Sequence, residues 1–319
     1  MPFLRTGKAV APDPSAVFEG GGATPHGRRP FQWELQAGSV DSVRSEIFAG
    51  CANPSCRSGW LRLWRGRSVP IFEGGWTCSL ECTVARLRRA VARELEGQGT
   101  VRELYRHRIP LGLLLMERGW ISRDQLRLAL DAQKKAGTGR LGQWLIRQGA
   151  ASEEMIARAL GLQWSCPVLG VEHHESTTLA TAIPRLFLDA FGALPLRIAA
   201  GRVLYLGFEE SLDPVLALAV ERMTGLRVES GIVPESAFRP AHARMLEVTF
   251  PPAELVEAIS QSAAAYALAR SAERLKPVAS RLVRVHDCLW MRLWTRTQQG
   301  ALPETMTVQD MICSIGMMG

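Results

Sequence analysis

Four cysteines lie close together in the sequence, and deprotonated cysteine is a strong ligand for transition metals. Four residues separate Cys51 from Cys56, three separate Cys78 from Cys82, and 21 residues lie between the two pairs. Zinc prefers four soft ligands in a tetrahedron, and two separated cysteine pairs are the usual sequence form of a closed structural site. The spacing therefore predicts one structural Zn²⁺ site. Two disulfides or four free thiols are the alternatives; the disulfides require an oxidising compartment, and no signal peptide is visible in the sequence.

A helix must position the second cysteine pair. The segment from Trp76 to Cys82 leads directly into a helical pattern over residues 83–96. This arrangement resembles the FCS or TRASH type of treble-clef finger, in which the last two ligands come from a turn and a helix start. A domain of about fifty residues has little core of its own, so the metal would supply most of its folding free energy. We expect small buried or tail positions for the three remaining cysteines, which are Cys166, Cys288 and Cys313.

A second candidate site comes from an internal duplication. A 24-residue pattern occupies residues 110–133 and recurs thirty positions later at residues 140–163. Eight pairs of residues at matched positions are identical, namely Leu111/Leu141, Gly112/Gly142, Leu115/Leu145, Gly119/Gly149, Ser122/Ser152, Ala129/Ala159, Leu130/Leu160 and Gln133/Gln163. A duplication used once, and not as a long array, favours a paired site for a two-fold symmetric ligand over a solenoid.

Each copy of the repeat is predicted to form two helices joined by a tight turn. Residues 111–117 are too apolar for a surface loop, and Gly119 stands where a helix end needs a left-handed residue. Ser122 can cap the next helix together with Gln125, three residues further on. The second copy repeats these signals, so the sequence predicts two equivalent helical hairpins.

The repeated residues resemble those of a known family. The order Arg-Leu-Gly, then Leu, Gly, Ala-Leu and a final Gln is similar to the doubled motif of the MshEN family, the N-terminal domain of type II secretion and type IV pilus assembly ATPases. The resemblance covers about residues 104–248 and implies binding of cyclic di-GMP, because members with both motifs intact bind that ligand. The segments similar to the family's second, α/β half are Pro195-Leu196, Leu204-Tyr205-Leu206, Asp213-Pro214 and Thr224-Gly225.

The chemistry of cyclic di-GMP fits a duplicated site. The ligand is two-fold symmetric and carries two flat guanines and two phosphate charges, so it requires paired apolar platforms, arginines and backbone N–H groups near glycine. Pro110 stands where the family motif has arginine, and Arg108 is the candidate to supply that guanidinium; copy two has Ala150-Ala151 where larger apolar residues are usual. The apolar positions are also expected to serve as helix core. The predicted ligand residues are Arg108, Leu111, Gly112, Leu115, Met116, Gln133, Arg140, Leu141, Gly142, Leu145, Ile146, Gln163 and, from the α/β half, Asp213.

The pattern along the chain predicts an α+β multidomain protein. Residues 1–44 are rich in Gly, Pro and Ala and are expected to form a disordered tail, followed by the zinc finger and its helix at 45–97. The tandem helical repeats occupy residues 104–163, and a compact α/β subdomain follows at 164–248. Residues 249–319 are expected to form a C-terminal helix and a β-hairpin.

More detailed expectations apply to the second half of the chain. In the α/β subdomain the predicted strands are residues 193–198, 203–208 and 227–232, and the predicted helices are 184–191, 213–223 and 235–246. The C-terminal helix is predicted at 253–275, the hairpin pairs 281–285 with 288–294, and the chain is expected to fray from residue 312.

Composition narrows the functional classes. The net charge is +7, and basic residues concentrate at 57–67 and 86–93 with Trp60 and Trp64 interleaved, so the finger could contact nucleic acid or an acidic partner. No apolar run reaches the roughly eighteen residues that a membrane span requires, which favours a soluble cytoplasmic protein. The sequence also has no Gly-x4-Gly-Lys-Ser/Thr loop to cradle a phosphate, so ATP hydrolysis is not expected.

Together these patterns predict a non-enzymatic cyclic di-GMP receptor or adaptor with a structural Zn²⁺ finger. Its protein partner would belong to a secretion or pilus-type system or to another signalling component. One alternative is a DNA-binding regulator that acts through the basic finger. The other is a structural partner of a secretion or pilus machine whose nucleotide site has decayed.

Overall fold

The computed structural model describes residues 51–56, 70–96, 108–172 and 176–316, apart from the side chain of Ser176. These residues belong to one compact unit. The expected tail at residues 1–44 and the basic segment at 57–67 lie outside the described residues. Within the part that is described, no helix is long and apolar enough to cross a membrane.

The fold is α+β. In the described ranges the helices are α1 (Leu80–Glu96), α2 (Leu111–Glu117), α3 (Arg123–Ala136), α4 (Leu141–Arg147), α5 (Glu153–Trp164), α6 (Ser176–Leu179), α7 (Arg185–Phe191), α8 (Pro214–Thr224), α9 (Glu235–Leu246) and α10 (Gln261–Leu275). The strands there are β1 (Ile71–Phe72), β2 (Gly75–Trp76), β3 (Ala193–Ala199), β4 (Val203–Phe208), β5 (Arg227–Ile232), β6 (Ala253–Ala258), β7 (Ala279–Val285), β8 (Cys288–Trp294) and β9 (Val308–Ile315).

The duplicated segment forms two helical hairpins, as predicted. Helices α2 and α3 make the first hairpin, and α4 and α5 make the second. Gly119 and Gly149 follow the short helices in the left-handed conformation, with φ angles of 67° and 65°. Ser122 and Ser152 cap the long helices by accepting a hydrogen bond from a backbone N–H of the first turn. Local sequence signals therefore fix both hairpins.

The two hairpins pack against each other reciprocally. Helix α3 lies against α4, and α2 lies against α5. The central side chains are matched between the copies, because Leu115, Leu145, Ala129 and Ala159 are all 0% exposed. An approximate two-fold axis therefore relates the copies.

The α/β half follows the repeats and agrees closely with the sequence expectation. Its sheet has the order β3-β4-β5, with β3 antiparallel to β4 and β4 parallel to β5. The three predicted strands match the observed strands to within one residue. Asp213 caps α8 by accepting hydrogen bonds from the N–H groups of Val215 and Leu216.

The C-terminal region contains more β-structure than predicted. Its sheet has the order β6-β9-β8-β7, and the predicted hairpin is confirmed as β7 and β8, which turn at His286 and Asp287. Two predictions are wrong here. Residues 253–258 form strand β6 and not the start of the helix, and the end predicted to fray forms β9, where Cys313 is fully buried. Strand β9 pairs in parallel with β6 and antiparallel with β8, and these long-range hydrogen bonds override the local pattern.

The finger shares a core with this C-terminal sheet. Helix α1 packs along α10, and the buried side chains of Phe72, Leu87 and Val91 join the same apolar cluster as α10 and the sheet. Strand β1 lies at the edge of β7, where the Ile71 N–H donates to the Pro277 carbonyl at 3.1 Å. The opposite face of the sheet packs on the α/β half, so the sheet is covered on both faces.

A buried ion pair ties the C-terminal sheet to the α/β half. Arg292 and Asp310 are each 1% exposed in their side chains, and their two hydrogen bonds measure 2.7 and 2.8 Å. The Trp290 indole donates to the same carboxylate at 2.8 Å, and the Arg292 guanidinium also donates to the Thr181 carbonyl at 2.5 Å. All these partners are buried, so the pair is enclosed and hydrogen-bonded on both sides.

Candidate functional sites

The four predicted metal ligands converge in the structure. The Sγ atoms of Cys51, Cys56, Cys78 and Cys82 all lie within 4.8 Å of one another. The Cys56–Cys78 and Cys78–Cys82 sulfur distances are 3.4 and 3.6 Å. A tetrahedral zinc ion with Zn–S bonds of about 2.3 Å places its sulfurs about 3.8 Å apart, so the donor set fits zinc. All seven cysteines are free thiols in the structure, which does not contain the two alternative disulfides.

Local structure brings the two cysteine pairs together. Cys51 and Cys56 flank a turn in which the Cys56 N–H donates to the Asn53 carbonyl at 2.9 Å, and Cys82 lies in the first turn of α1. Asn53 is buried, and its side-chain amide donates to the Cys82 sulfur at 3.4 Å. The sequence prediction missed Asn53, although a small amide side chain inside a cysteine pair is a recognisable signal. Donors to sulfur stabilise the thiolate that a metal requires.

Burial affects the first cysteine of the cluster. The pKa of the Cys51 thiol is raised to about 12, and burial is the largest cause. Hydrogen bonds with the thiols of Cys78 and Cys82 raise this pKa further, whereas hydrogen bonds from backbone N–H groups lower it. Four thiolates so close together repel one another, and a divalent metal ion removes this repulsion because it binds the thiolates directly.

The repeats contain a reciprocal pair of hydrogen bonds made by their final glutamines. Gln133 at the end of copy one donates to the Gly139 carbonyl, just before copy two, at 2.8 Å. Gln163 at the end of copy two donates to the Ile109 carbonyl, just before copy one, at 2.7 Å. Donors and acceptors are each thirty positions apart, so each copy fixes the start of the other. This exchange is what a two-fold arrangement requires.

The glycines and central leucines of the repeat have structural roles. A Cβ atom on Gly112 would lie 2.7 Å from the Leu126 side chain, and one on Gly142 would lie 3.0 Å from Ile156, so both glycines permit close helix packing. Leu115 and Leu145 are fully buried between the helices. The set of ligand contacts predicted from the sequence thus includes residues that the observed conformation keeps inside the hairpins.

The second copy borders a cleft that it shares with the α/β half. The empty space in this cleft is about 360 Å³ and includes open solvent. The lining residues of the repeat are Gly142, Gln143, Ile146, Glu153, Ile156, Ala157 and Leu160, and those of the α/β half are Glu209, Glu210, Pro234 and Glu235. Beside the cleft, the Arg140 guanidinium lies 3.2 Å from a carboxylate oxygen of Glu209 and 2.5 Å from one of Glu210. Four of the five polar side chains that line this cleft are therefore carboxylates.

Comparison with known proteins supports the resemblance drawn from the doubled motif. No protein-family model matches the chain. Over 125 residues, 39% of this chain, the sequence is 30% identical to bacteriophage adsorption protein B of Escherichia coli K12. Over 102 residues, 30% of this chain, it is 39% identical to the type IV pilus assembly ATPase PilB of Thermus thermophilus. The chain spans 16% of the length of the first relative and 11% of the second.

Two solved structures are also similar. A structure of MshE with cyclic di-GMP is 29% identical, with a TM-score of 0.36 over 43% of this chain and 99% of that chain. The N-terminal domain of XpsE is 23% identical, with a TM-score of 0.31 over 42% of this chain and 92% of that chain. The sequence match to an assembly ATPase agrees with the doubled motif. Part of the chain is therefore similar in sequence to a type IV pilus assembly ATPase.

The predicted ligand residues of the repeats differ in accessibility. Arg140 is exposed, and seven further predicted residues are partly exposed: Arg108, Leu111, Met116, Gln133, Leu141, Ile146 and Gln163. Arg108 lies two residues before copy one in the sequence, and its guanidinium packs over the ring of Trp164 at the end of α5. The two copies thus place their arginines in different surroundings.

Asp213 already has hydrogen-bond partners in α8 and at the turn of the C-terminal hairpin. In addition to capping α8, its carboxylate lies 2.6 Å from His286 Nε2. Burial opposes ionisation, but the hydrogen bonds from His286 and the α8 backbone hold the pKa of Asp213 below its ordinary value. Its predicted ligand contact would require breaking these bonds.

Sequence reasoning missed the acidic side of the cleft. Glu209 and Glu210 directly follow the buried strand β4, and Glu235 begins α9 behind Pro234. The Gln143 amide donates to the Glu235 carboxylate at 3.2 Å. Adjacent glutamates at the end of a buried strand were the available signal, because strand ends and helix starts are common positions for functional groups.

Proposed function

We propose that this chain is a non-enzymatic receptor or adaptor for cyclic di-GMP that acts in the cytoplasm with a secretion or pilus-type system. The reciprocal glutamine bonds carry this proposal, because Gln133 and Gln163 relate the two motifs by an approximate two-fold axis. A two-fold symmetric dinucleotide is the natural ligand class for such a pair. The similarity to the pilus assembly ATPase PilB supports the association with an assembly machine.

The ligand contacts would come from the accessible members of the repeats. Arg140 supplies positive charge and a planar face for stacking, and Leu111, Leu141, Met116 and Ile146 supply partly exposed apolar surface. Leu115 and Leu145 support this surface from the core of the helical pairs and do not touch the ligand.

We further propose that the cysteine cluster holds one structural Zn²⁺ ion. The close approach of the four sulfurs and the Asn53 donor support this assignment. A closed site with four protein ligands leaves no coordination position for a substrate, so the metal would hold the finger together and perform no catalysis.

Calorimetric titration of cyclic di-GMP into purified protein tests the proposed ligand. Arg140→Ala should weaken binding about tenfold or more, because hydrogen bonds to a charged group are worth about 1.5–3 kcal/mol. Gln163→Ala should weaken it less. Pro110→Arg should strengthen it by restoring the family pattern in copy one. Arg158→Ala is the matched control, because this exposed arginine on α5 pairs with Glu154 and not with the cleft.

Two outcomes contradict the ligand proposal. Wild-type protein that gives no heat at high micromolar ligand excludes it, and identical curves for wild type and Arg140→Ala exclude the site. Those results favour the structural-partner alternative, which the neutralisation of Arg140 by Glu209 and Glu210 also favours. Duplex DNA is titrated in the same way, because heat with DNA and none with cyclic di-GMP would favour the DNA-binding alternative.

A further inference from the structure

The two copies of the repeat share a fold, but their matched faces have different surroundings. On copy two, Gln143 and Leu160 are partly buried where they line the cleft with the α/β half, and Ala157 is only 3% exposed. The matched residues of copy one are Leu113, Leu130 and Arg127, thirty positions earlier. Leu113 is 51% exposed and Leu130 is 45% exposed. The α/β half therefore covers one of two equivalent faces.

Polar contacts hold the α/β half over copy two. Arg140 pairs with both Glu209 and Glu210, at 3.2 and 2.5 Å. At the other end of the cleft, the Ser236 N–H in the first turn of α9 donates to the Glu153 carboxylate at 2.6 Å. These contacts span the boundary between the repeats and the α/β half, and every one involves a carboxylate.

The same contacts oppose a ligand with two phosphate charges. The guanidinium that should meet the ligand is already bound by two carboxylates, and Arg239 is the second arginine at Glu209, at 3.2 Å. The four glutamates that line the cleft outnumber these two arginines. Burial raises the pKa of Glu210 although Arg140 acts in the opposite direction, so this carboxylate is poorly solvated there. An anionic ligand cannot enter favourably while the carboxylates stay in place.

We propose that Glu209 and Glu210 form an electrostatic clasp on Arg140, and that cyclic di-GMP binds by displacing the clasp and opening the cleft between α5 and α9. The proposal rests on the proposed function, and it assigns a direction to the response. Ligand binding separates the α/β half from copy two and makes copy two as accessible as copy one. Only the open form can bind the ligand, so the apparent affinity equals the intrinsic affinity multiplied by the fraction of molecules that are open. The clasp lowers the apparent affinity because it keeps that fraction small.

Titration of cyclic di-GMP into the double variant Glu209→Gln/Glu210→Gln tests the clasp. Glutamine keeps the side-chain size and removes both charges, so the variant should bind about tenfold or more tightly than wild type. Adding Arg140→Ala to this variant should cancel the gain, because the freed guanidinium is its source. Glu154→Gln is the matched control, since this glutamate lies on α5 but pairs with Arg158, and its affinity should equal that of wild type.

Hydrogen exchange measured by mass spectrometry provides a second readout that does not depend on affinity. The Ser236 amide is protected by its bond to Glu153, so saturating cyclic di-GMP should accelerate exchange in a peptide covering residues 234–238. Thermal unfolding of each variant checks that the fold is retained. These measurements use the full chain.

The outcomes separate the clasp from the proposed function. If wild type binds cyclic di-GMP and the double variant binds equally or more weakly, the clasp is wrong and the receptor function stands. Slower exchange at Ser236 with ligand also overturns the opening, because it indicates closure. If neither wild type nor the double variant binds, both proposals fail together.

Discussion

If the cysteine cluster holds the proposed zinc ion, removal of that ion is expected to destabilise the C-terminal sheet as well as the finger. Cys82→Ser removes one ligand at the start of α1, the helix that shares its core with α10. Phe72, Leu87 and Val91 are at most 1% exposed, and Val84 is 9% exposed. Burial of such a side chain contributes about 1.5–3 kcal/mol, so the four together contribute on the order of 6–12 kcal/mol. That range matches the roughly 5–15 kcal/mol by which whole domains are stable.

The assay combines metal content with local exchange. Elemental analysis of wild type prepared under reducing conditions should find one equivalent of zinc. After chelation, or in Cys82→Ser, hydrogen exchange should accelerate in α10 and β8 while the helical repeats keep their protection. Cys166→Ser is the control, because this cysteine lies outside the cluster.

Two results would refute this reasoning. Protein without zinc under reducing conditions excludes the metal site. Metal-free protein in which α10 exchanges at the wild-type rate shows instead that the sheet does not depend on α1, and that the finger unfolds alone.

Three further predictions concern the ion pairs and ATP. Arg292→Met should lower the free energy of unfolding by about 3–5 kcal/mol, because it leaves the buried charge of Asp310 without its partner. The double variant Arg292→Met/Asp310→Leu should lower it by less, because it removes both charges. Denaturant unfolding measures both variants, and a loss below about 1 kcal/mol in the single variant contradicts the claim. The hydrogen bond to Asp213 raises the pKa of His286 above its ordinary 6.5, and Asp213 has a lowered pKa. The stabilisation from this pair should therefore be present from about pH 4 to 6.5 and be lost as the pH rises through the pKa of His286. In thermal unfolding near pH 5.5, wild type should be more stable than His286→Asn by on the order of 1 kcal/mol after solvent screening, and this difference in stability should shrink by pH 8. A stability difference that does not depend on pH would contradict the prediction. The purified chain should neither bind nor hydrolyse ATP, and a steady ATPase rate that is lost on mutating this chain would contradict that expectation.

Elements with local signals were predictable from the sequence. The hairpins of the repeat carry their own stops and caps, such as Gly119 and Ser122, and strands β3 and β4 are short, mostly apolar runs between predicted helices. Strand β6 was not predictable in this way. Its Ala, Glu and Leu residues favour a helix locally, and only pairing with the distant strand β9 makes them extended.

The candidate sites, too, were predictable where local sequence signals position the residues and not where only the tertiary fold does. The cysteine spacing predicted the cluster because its ligands come in two short segments that a turn and a helix start position. The acidic partners of Arg140 were missed because they lie 69 and 70 residues away in the sequence, on the other side of a cleft that only the tertiary fold creates. Periodicity carries no information about such a charge pair.

The reciprocal glutamine bonds have a consequence for the origin of the domain. A single repeat offers a Gln133-type donor at its end and a carbonyl acceptor before its start, yet in this chain each donor serves the other copy. Two separate short chains could make the same two bonds as a symmetric homodimer. Fusion of the two genes then removes the concentration dependence of that association, and it allows the sequences of the two halves to diverge. In the present chain the matched positions differ: copy two has Gln143 and Ala157 against the α/β half, and copy one has Leu113 and Arg127 at its surface.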